Sequence, residues 1–158
     1  MVKNNIKLLV LDLDGVITDG TVTISESGEE HKSFAYQDLD AVTKARVFGL
    51  KLAIVTAEDT KIVNTITNRF SIKKVIKGSK DKLMSIKRLA KDYNLSMNNI
   101  CYVADGDRDA LALKEVGLSF CPANGTDIAK LASKICLENK GGNGAVREVI
   151  DSLIKNTD

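Results

Sequence analysis

The sequence predicts an α/β protein with a doubly wound, mostly parallel sheet and helices on both of its faces. Short apolar segments with strand character alternate along the chain with longer segments of helical periodicity. Two aspartates, Asp12 and Asp14, directly follow the first apolar segment. Ligands of open α/β sheets bind beyond the carboxyl ends of the strands, so these carboxylates indicate a functional edge. The 158 residues contain no linker-like tract, which favours a single domain over residues 1–158.

The predicted strands are six segments of three to five residues, rich in residues that suit a buried strand. They are Lys7–Leu11, Lys51–Val55, Lys74–Ile76, Ile100–Ala104, Leu118–Cys121 and Lys134–Leu137. Amphipathic helices are predicted over the apolar positions of residues 42–50, 62–70, 83–90, 111–116 and 146–154. One segment, at about 20–35, breaks the alternation: Thr21–Ile24 and His31–Phe34 flank Ser27-Gly28, which predicts a β-hairpin. This hairpin flap should stand beside Asp12 and Asp14.

Composition excludes several classes of function. Hydrophobic residues make up 44% of the chain, charged residues 28%, and the formal net charge is +2 without a long basic run, so no nucleic-acid partner is expected. No apolar segment approaches the roughly 18 residues that a membrane span needs, so no membrane partner is expected. The three cysteines form no CxxC pair, which predicts reduced core thiols and a cytoplasmic location.

Polar residues follow four of the predicted strands, where parallel strands would bring them to one edge. Asp12 and Asp14 follow the first strand, Thr56 the second, Lys80 and Lys82 the third, and Asp105 and Asp109 the fourth. A carboxylate can act as a nucleophile towards phosphorus, and Mg²⁺ prefers oxygen ligands and offsets the repulsion between carboxylate and phosphate. Each residue alone also fits a turn, a helix start or a cap, but the ordered set predicts phosphoryl transfer.

These residues resemble the haloacid dehalogenase superfamily of Mg²⁺-dependent phosphatases. The match consists of Asp12-Leu13-Asp14-Gly15, Thr56, Lys82 and the pair Asp105 and Asp109. The segment from Asp12 to Gly20 and the glycine-rich tail at about 141–158 are similar to the branch of 3-deoxy-D-manno-octulosonate 8-phosphate and nonulosonate 9-phosphate phosphatases. The resemblance implies a Rossmann-like haloacid dehalogenase fold with the small β-hairpin flap and no large cap domain.

The resemblance also implies a role for each matching residue. Asp12 would be the nucleophile and a Mg²⁺ ligand, and Asp14 the general acid/base that binds Mg²⁺ through its backbone carbonyl. Thr56 would hold the phosphoryl group and Lys82, preferred to Lys80 by its spacing from Gly78, would stabilise charge. Asp105 would be the remaining metal ligand, and Asp109 would orient metal-bound waters or Lys82.

The resemblance further implies an assembly. Members of this branch are homotetramers whose hairpins pair, and their substrate is a sugar phosphate. Their tail, which here includes Arg147, is a mobile closing element. A glycine-rich turn before the last helix is the alternative reading of that tail.

The chain departs from the family pattern in its metal-binding motif, at Glu58, and at Gln37–Asp40, where the branch has an Arg-Asp-Gly segment. The usual Gly-Asp-Asp is here Ala104-Asp105-Gly106, which removes a second aspartate that Asp107 could replace. Glu58 follows Thr56 where many octulosonate 8-phosphate phosphatases have Arg, and it resembles the nonulosonate 9-phosphate enzymes. In those enzymes the Glu pairs with a basic residue one helix later, here Arg69, so Glu58, Arg69 and Arg147 are the predicted substrate-binding residues.

Two other classes of function remain open at this point. One is a non-catalytic oligomerisation module of the kind associated with nonulosonate cytidylyltransferases, for which the altered Ala104 and Gly106 leave room. The other is a response-regulator receiver domain, which also combines acidic residues, Thr and Lys. In a receiver the phosphorylated Asp follows a middle strand, whereas here the Asp12-x-Asp14 pair leads the chain.

Overall fold

Six parallel strands form the central sheet of the computed structural model, which describes residues 5–155. In chain order they are β1 Leu8–Leu11, β4 Lys51–Val55, β5 Lys74–Ile76, β6 Ile100–Val103, β7 Leu118–Cys121 and β8 Ile135–Cys136. Their order across the sheet is β5-β4-β1-β6-β7-β8, with every neighbouring pair parallel. Strand β1 therefore lies inside the sheet, between β4 and β6.

Six helices cover the sheet. They are α1 Tyr36–Val47, α2 Lys61–Arg69, α3 Lys82–Asp92, α4 Ala110–Glu115, α5 Asp127–Ala132 and α6 Ala145–Lys155. Leu9 and Leu11 of β1 pack in one core cluster with residues of α1, α2 and α6, while Leu8 and Val10 pack in a second cluster with residues of α3, α4 and α5. Because alternate residues of a strand point to opposite faces, β1 is buried on both sides, and the predicted doubly wound α/β class is confirmed.

Two strands stand apart from the sheet. β2 Thr23–Ile24 and β3 Glu30–His31 pair antiparallel in the predicted hairpin, and Gly28 adopts the positive φ of +84° that its turn requires. All four strand residues are exposed. A bridge between Thr18 and Phe34 connects the base of the hairpin to the loop after β1.

The structure corrects the sequence analysis at the β8 edge. The six-residue helix α5 was not predicted, because its Ile128 and Leu131 are exposed and leave no continuous apolar stripe. The expectation that all three cysteines lie in the core is wrong for Cys136, which is exposed because β8 is the last strand of the sheet. Cys101 and Cys121 are buried, and all three thiols are free.

The ends of the chain limit two predictions. The glycine-rich tail forms a turn at residues 141–144 followed by α6, and its last three positions lie outside the described residues. The single-domain organisation over residues 1–158 stays a prediction, since residues 1–4 also lie outside. No helix within residues 5–155 has the length and apolarity to cross a membrane.

Candidate active site

The loop after β1 places Asp12 at the carboxyl end of the sheet. The Asp12 N–H donates to the Val103 carbonyl of β6 at 2.9 Å, which continues the strand pairing, and its Oδ1 accepts from the Leu13 N–H at 2.7 Å. Gly15 then turns the chain with φ of +77°, and a Cβ at this position would overlap Oδ2 of Asp105. Only glycine therefore lets the loops after β1 and β6 bring their carboxylates together.

Lys82 is the cation at the centre of the site. Its Nζ donates to Asp12 Oδ2 at 2.8 Å and to Asp109 Oδ1 at 3.2 Å, and its side chain is 6% exposed. It stands at the first position of α3, whose start is capped by the Asp81 side chain accepting from the Met84 N–H. Lys80 is exposed, so the structure places Lys82, and not Lys80, against the predicted nucleophile.

Tyr102 of β6 lies beneath this ion pair and was not identified from the sequence. Its hydroxyl donates to Asp109 Oδ1 at 2.7 Å, and the Gly106 N–H donates to Asp109 Oδ2 at 3.1 Å. Both oxygens of the buried Asp109 are thus held by the protein. The three contacts from Tyr102, Gly106 and Lys82 fix Asp109 as a rigid support for the lysine.

Three carboxylates approach one another closely enough to share one cation. Asp12, Asp105 and Asp109 each offer an oxygen within 4.8 Å of the others. Burial raises the pKa of Asp12 to about 7, with Lys82 opposing the rise and Asp109 adding to it. Burial and the charge of Asp109 raise the pKa of Asp105 to about 6. A bound divalent cation would offset this repulsion, so the donor set fits Mg²⁺.

The structure bears on three of the expected roles around the metal. Asp109 contacts Lys82 at 3.2 Å, as expected for a residue that orients this lysine, and it also joins the carboxylate group. The side chain of Asp14 lies outside the group; the ligand expected from Asp14 is its backbone carbonyl, which stays a prediction. Asp107 is exposed and lies outside the group, so it does not replace the aspartate missing at Gly106.

Asp14 instead faces the hairpin flap, where it meets a residue that the sequence analysis missed. Lys32, one residue after β3, donates from Nζ to Asp14 Oδ1 and to Glu58 Oε2, both at 2.8 Å. Its side chain is 4% exposed. Burial alone would lower the pKa of Lys32, but its hydrogen bonds to Asp14 and Glu58 outweigh burial and raise the pKa.

The remaining predicted residues have different surroundings. Thr56 is buried directly after β4, and its Oγ1 accepts from the Glu58 N–H at 3.3 Å. The expected pairing of Glu58 with Arg69 is not found: Glu58 pairs with Lys32, whereas Arg69 donates to the Tyr36 hydroxyl at 3.0 Å. Arg147, the third predicted substrate-binding residue, pairs through its side chain with Asp151 on α6 at 3.5 Å.

The glycine-rich segment before α6 supports the loop after β1 from behind. Asn124 donates from its amide to the Gly15 carbonyl at 3.1 Å and accepts from the Gly141 N–H at 2.6 Å. A Cβ on Gly141 would overlap the Gly15 carbonyl oxygen. Buried Asp38 accepts from the N–H groups of Gly144 and Arg147, which holds the start of α6. In this structure the segment is a packed turn before the last helix.

The fold and the site together define a class. A buried aspartate contacts a lysine, and a threonine and two further carboxylates follow neighbouring strands, at the carboxyl edge of a doubly wound sheet. The arrangement can hold a divalent cation beside several carboxylates, and it suits a hydrolase that acts on phosphate esters.

Comparison with known proteins identifies the family. The family model of haloacid dehalogenase-like hydrolases matches residues 50–150, and this chain belongs to that family. A curated relative, the 3-deoxy-D-manno-octulosonate 8-phosphate phosphatase of Escherichia coli K12, is 32% identical over 150 residues, which are 95% of this chain and 80% of the relative.

Solved structures agree with this assignment. The same-named phosphatase from Moraxella catarrhalis, in complex with magnesium, phosphate and KDO, has a TM-score of 0.93 and 30% identity, covering 98% of this chain and 88% of that one. The cobalt-bound phosphatase from Haemophilus influenzae has a TM-score of 0.91 and 28% identity, covering 98% and 90%.

These matches confirm the predicted superfamily, its fold and its class of enzyme, a phosphoric-monoester hydrolase. The predicted Mg²⁺ cofactor agrees with both the carboxylate group of this chain and the magnesium ion in the Moraxella catarrhalis structure. The roles of the individual site residues stay predictions.

Proposed function

We propose that this chain is a Mg²⁺-dependent phosphatase that hydrolyses the phosphomonoester of a 3-deoxy-2-ulosonic acid through an aspartyl phosphate on Asp12. The observation that carries the proposal is the buried contact of Asp12 with Lys82, beside Asp105 and Asp109. A lone structural ion pair would not require two further carboxylates within 4.8 Å of the same aspartate. The identity with curated phosphatases supports the reaction class.

The chain's own residues account for each step of the reaction. An oxygen of Asp12 attacks phosphorus, a bond forms between them, and the bond from phosphorus to the ester oxygen breaks. Asp14 gives a proton to the departing ester oxygen. Water then attacks the phosphorus of the aspartyl phosphate and Asp14 takes its proton, the bond from phosphorus to the Asp12 oxygen breaks, and the free carboxylate and inorganic phosphate result. Lys82 and Thr56 stabilise the charge on the phosphoryl oxygens.

The metal would be held by side-chain oxygens of Asp12 and Asp105 and by the backbone carbonyl of Asp14. Mg²⁺ supplies positive charge that offsets the repulsion between the carboxylate nucleophile and the phosphate dianion. Asp109 is the third carboxylate of the group that Asp12 and Asp105 form, and its contacts with Tyr102 and Lys82 keep it in place.

The substrate is either octulosonate 8-phosphate or nonulosonate 9-phosphate. The names of the relatives support the first, since the curated and solved proteins reported above are 3-deoxy-D-manno-octulosonate 8-phosphate phosphatases. Glu58 supports the second, because of its resemblance to the nonulosonate branch. A cytoplasmic location and the absence of nucleic-acid and membrane partners stay predictions.

The proposal is tested by phosphate release from both sugar phosphates and from an aryl phosphate, with Mg²⁺ and with a chelator. Asp12→Asn removes the nucleophile and should reduce the rate at least about 1,000-fold. Asp107→Asn is the matched control, because Asp107 is an exposed aspartate outside the carboxylate group, and it should retain activity. Selective turnover of one sugar phosphate names the substrate. Mg²⁺ binding without turnover of any ester would favour the non-catalytic module instead.

We also propose that the chain is a homotetramer in which hairpin flaps from different copies pair. Val22 and Ile24 of the flap are 45% and 62% exposed, an apolar surface that a second copy could cover. Light scattering should give about four times the mass of one chain, and Ile24→Lys should lower it. Val47→Lys is the control, because Val47 is 88% exposed on α1, away from the flap. A monomeric mass for the unaltered protein would contradict the proposal.

A further inference from the structure

The two strands of the hairpin flap lie apart from the central sheet. The flap's four strand residues are exposed, and within residues 5–155 β2 pairs with β3 alone. Past β3, Phe34 contacts the ring of Phe70 at 5.1 Å between centroids. Lys32 is the residue between the hairpin and Phe34 that reaches the site, where its ammonium contacts two carboxylates at 2.8 Å.

The contact leaves the two oxygens of Asp14 in different surroundings. Oδ1 accepts from Lys32 at 2.8 Å and from the Thr18 hydroxyl at 3.4 Å. Oδ2 has no hydrogen-bond partner among the described residues 5–155. Because a lysine and a hydroxyl hold Oδ1, Oδ2 is the oxygen presented to an incoming group.

Glu58 is the second carboxylate that the Lys32 ammonium contacts. An ammonium group has three N–H donors, and two of them are used by Asp14 and Glu58. A single exposed ion pair of a flexible lysine is worth little, but a side chain that is 4% exposed and bridges two carboxylates has restricted freedom. Glu58 therefore limits where the ammonium, and with it Asp14 Oδ1, can lie.

We propose that Lys32 is a positioning residue for the general acid/base: it fixes Asp14 through Oδ1, with Glu58 as its anchor, so that Oδ2 exchanges the proton with the ester oxygen and with water. This inference rests on the proposed function. General acid–base catalysis raises the reaction rate by roughly 100- to 10,000-fold, and a large part of this increase depends on the correct orientation of the acid/base group.

The test compares two esters in Lys32→Met, which keeps the side-chain length and removes the charge. Turnover of the sugar phosphate, a poor leaving group that needs the proton, should fall about 10- to 100-fold with KM changed less than about 3-fold. The first-turnover release of nitrophenol from an aryl phosphate, a good leaving group, should fall less than about 3-fold, because that step needs little help from Asp14.

Further variants separate positioning from a merely structural contact. Lys32→Arg should restore sugar-phosphate turnover to within about 5-fold, and Glu58→Gln should give an intermediate loss. Lys74→Met is the matched control: Lys74 forms a 2.7 Å ion pair with Asp92 on the surface, and its variant should match the unaltered protein.

An equal loss for both esters in Lys32→Met, or no loss for either, overturns the positioning role. An arginine variant as slow as the methionine variant also overturns it. If the unaltered protein releases phosphate from neither ester, the proposed function is wrong. If the unaltered protein turns over the sugar phosphate and Lys32→Met does so at the same rate, only the positioning role of Lys32 is wrong.

Discussion

Raising the pH from about 5 to about 8 in the presence of a chelator should lower the free energy of unfolding of this protein. The cause is the buried carboxyl of Asp12, whose pKa rises from 3.8 to about 7 on folding. Between these two values the folded state binds more protons than the unfolded state, so stability decreases as the pH rises. Burial also raises the pKa values of Asp105 and Asp38, which act in the same direction.

The size of the effect follows from the shift of Asp12. Each pKa unit corresponds to about 1.36 kcal/mol, and the folded pKa of about 7 lies some two units above the starting pH. Ionising Asp12 between about pH 5 and 8 should therefore lower the free energy of unfolding by roughly 2.5 kcal/mol. Mg²⁺ at about 100 times its Kd should add back roughly 2.7 kcal/mol at the higher pH, and less at the lower pH, where protons compete.

Urea denaturation at the two pH values, with a chelator and with Mg²⁺, measures both quantities. Asp12→Asn should flatten most of the pH dependence, because the variant has no carboxyl to ionise at that position. Asp107→Asn is the control for removing an exposed aspartate from the loop after β6. A free energy of unfolding that stays level or rises between about pH 5 and 8 with the chelator would refute the reasoning.

Three further substitutions test single contacts by urea denaturation. Tyr102→Phe removes the hydroxyl that donates to Asp109, and should reduce stability by about 1 kcal/mol and phosphate release several-fold; unchanged phosphate release would show that the contact is dispensable. Gly141→Ala overlaps the Gly15 carbonyl and should destabilise by about 1–3 kcal/mol. Asp38→Asn weakens two hydrogen bonds at the start of α6 and should destabilise the protein by about 1–3 kcal/mol. Unchanged stability in Gly141→Ala or in Asp38→Asn would contradict the close packing of the segment before α6.

The middle of the sheet was predictable because its strands are short apolar segments buried on both faces. Leu8–Leu11 and Ile100–Val103 are fully buried, and their sequences carry no charged residue. The ends of these strands were equally clear, which placed Asp12 and Asp105 at one edge. Helix α5 was missed because it has only six residues and its Leu131 is exposed, so its apolar residues do not follow the helical period.

The supporting residues of the site were not predictable in the same way. Two of them, Lys32 and Asn124, contact residues that are distant in sequence. The third, Tyr102, lies within a strand whose apolar pattern gives no sign of its contact with Asp109. Tyr102 reads as an ordinary strand residue, and Lys32 as one polar position beside a hairpin. The expected pairing of Glu58 with Arg69 failed because the flap supplies a nearer cation, a contact that depends on tertiary structure.

The position of β1 inside the sheet determines when the site can form during synthesis. Asp12 is synthesised before β4 and β6, yet its strand needs both of them as neighbours. Its backbone N–H gains its partner only when the Val103 carbonyl has been made. The loop at Gly15 is braced only when Asn124 and Gly141 have been made. A nascent chain that stalls before Gly141 would already carry every predicted catalytic side chain and still lack a braced nucleophile loop. Activity therefore requires synthesis to have passed Gly141.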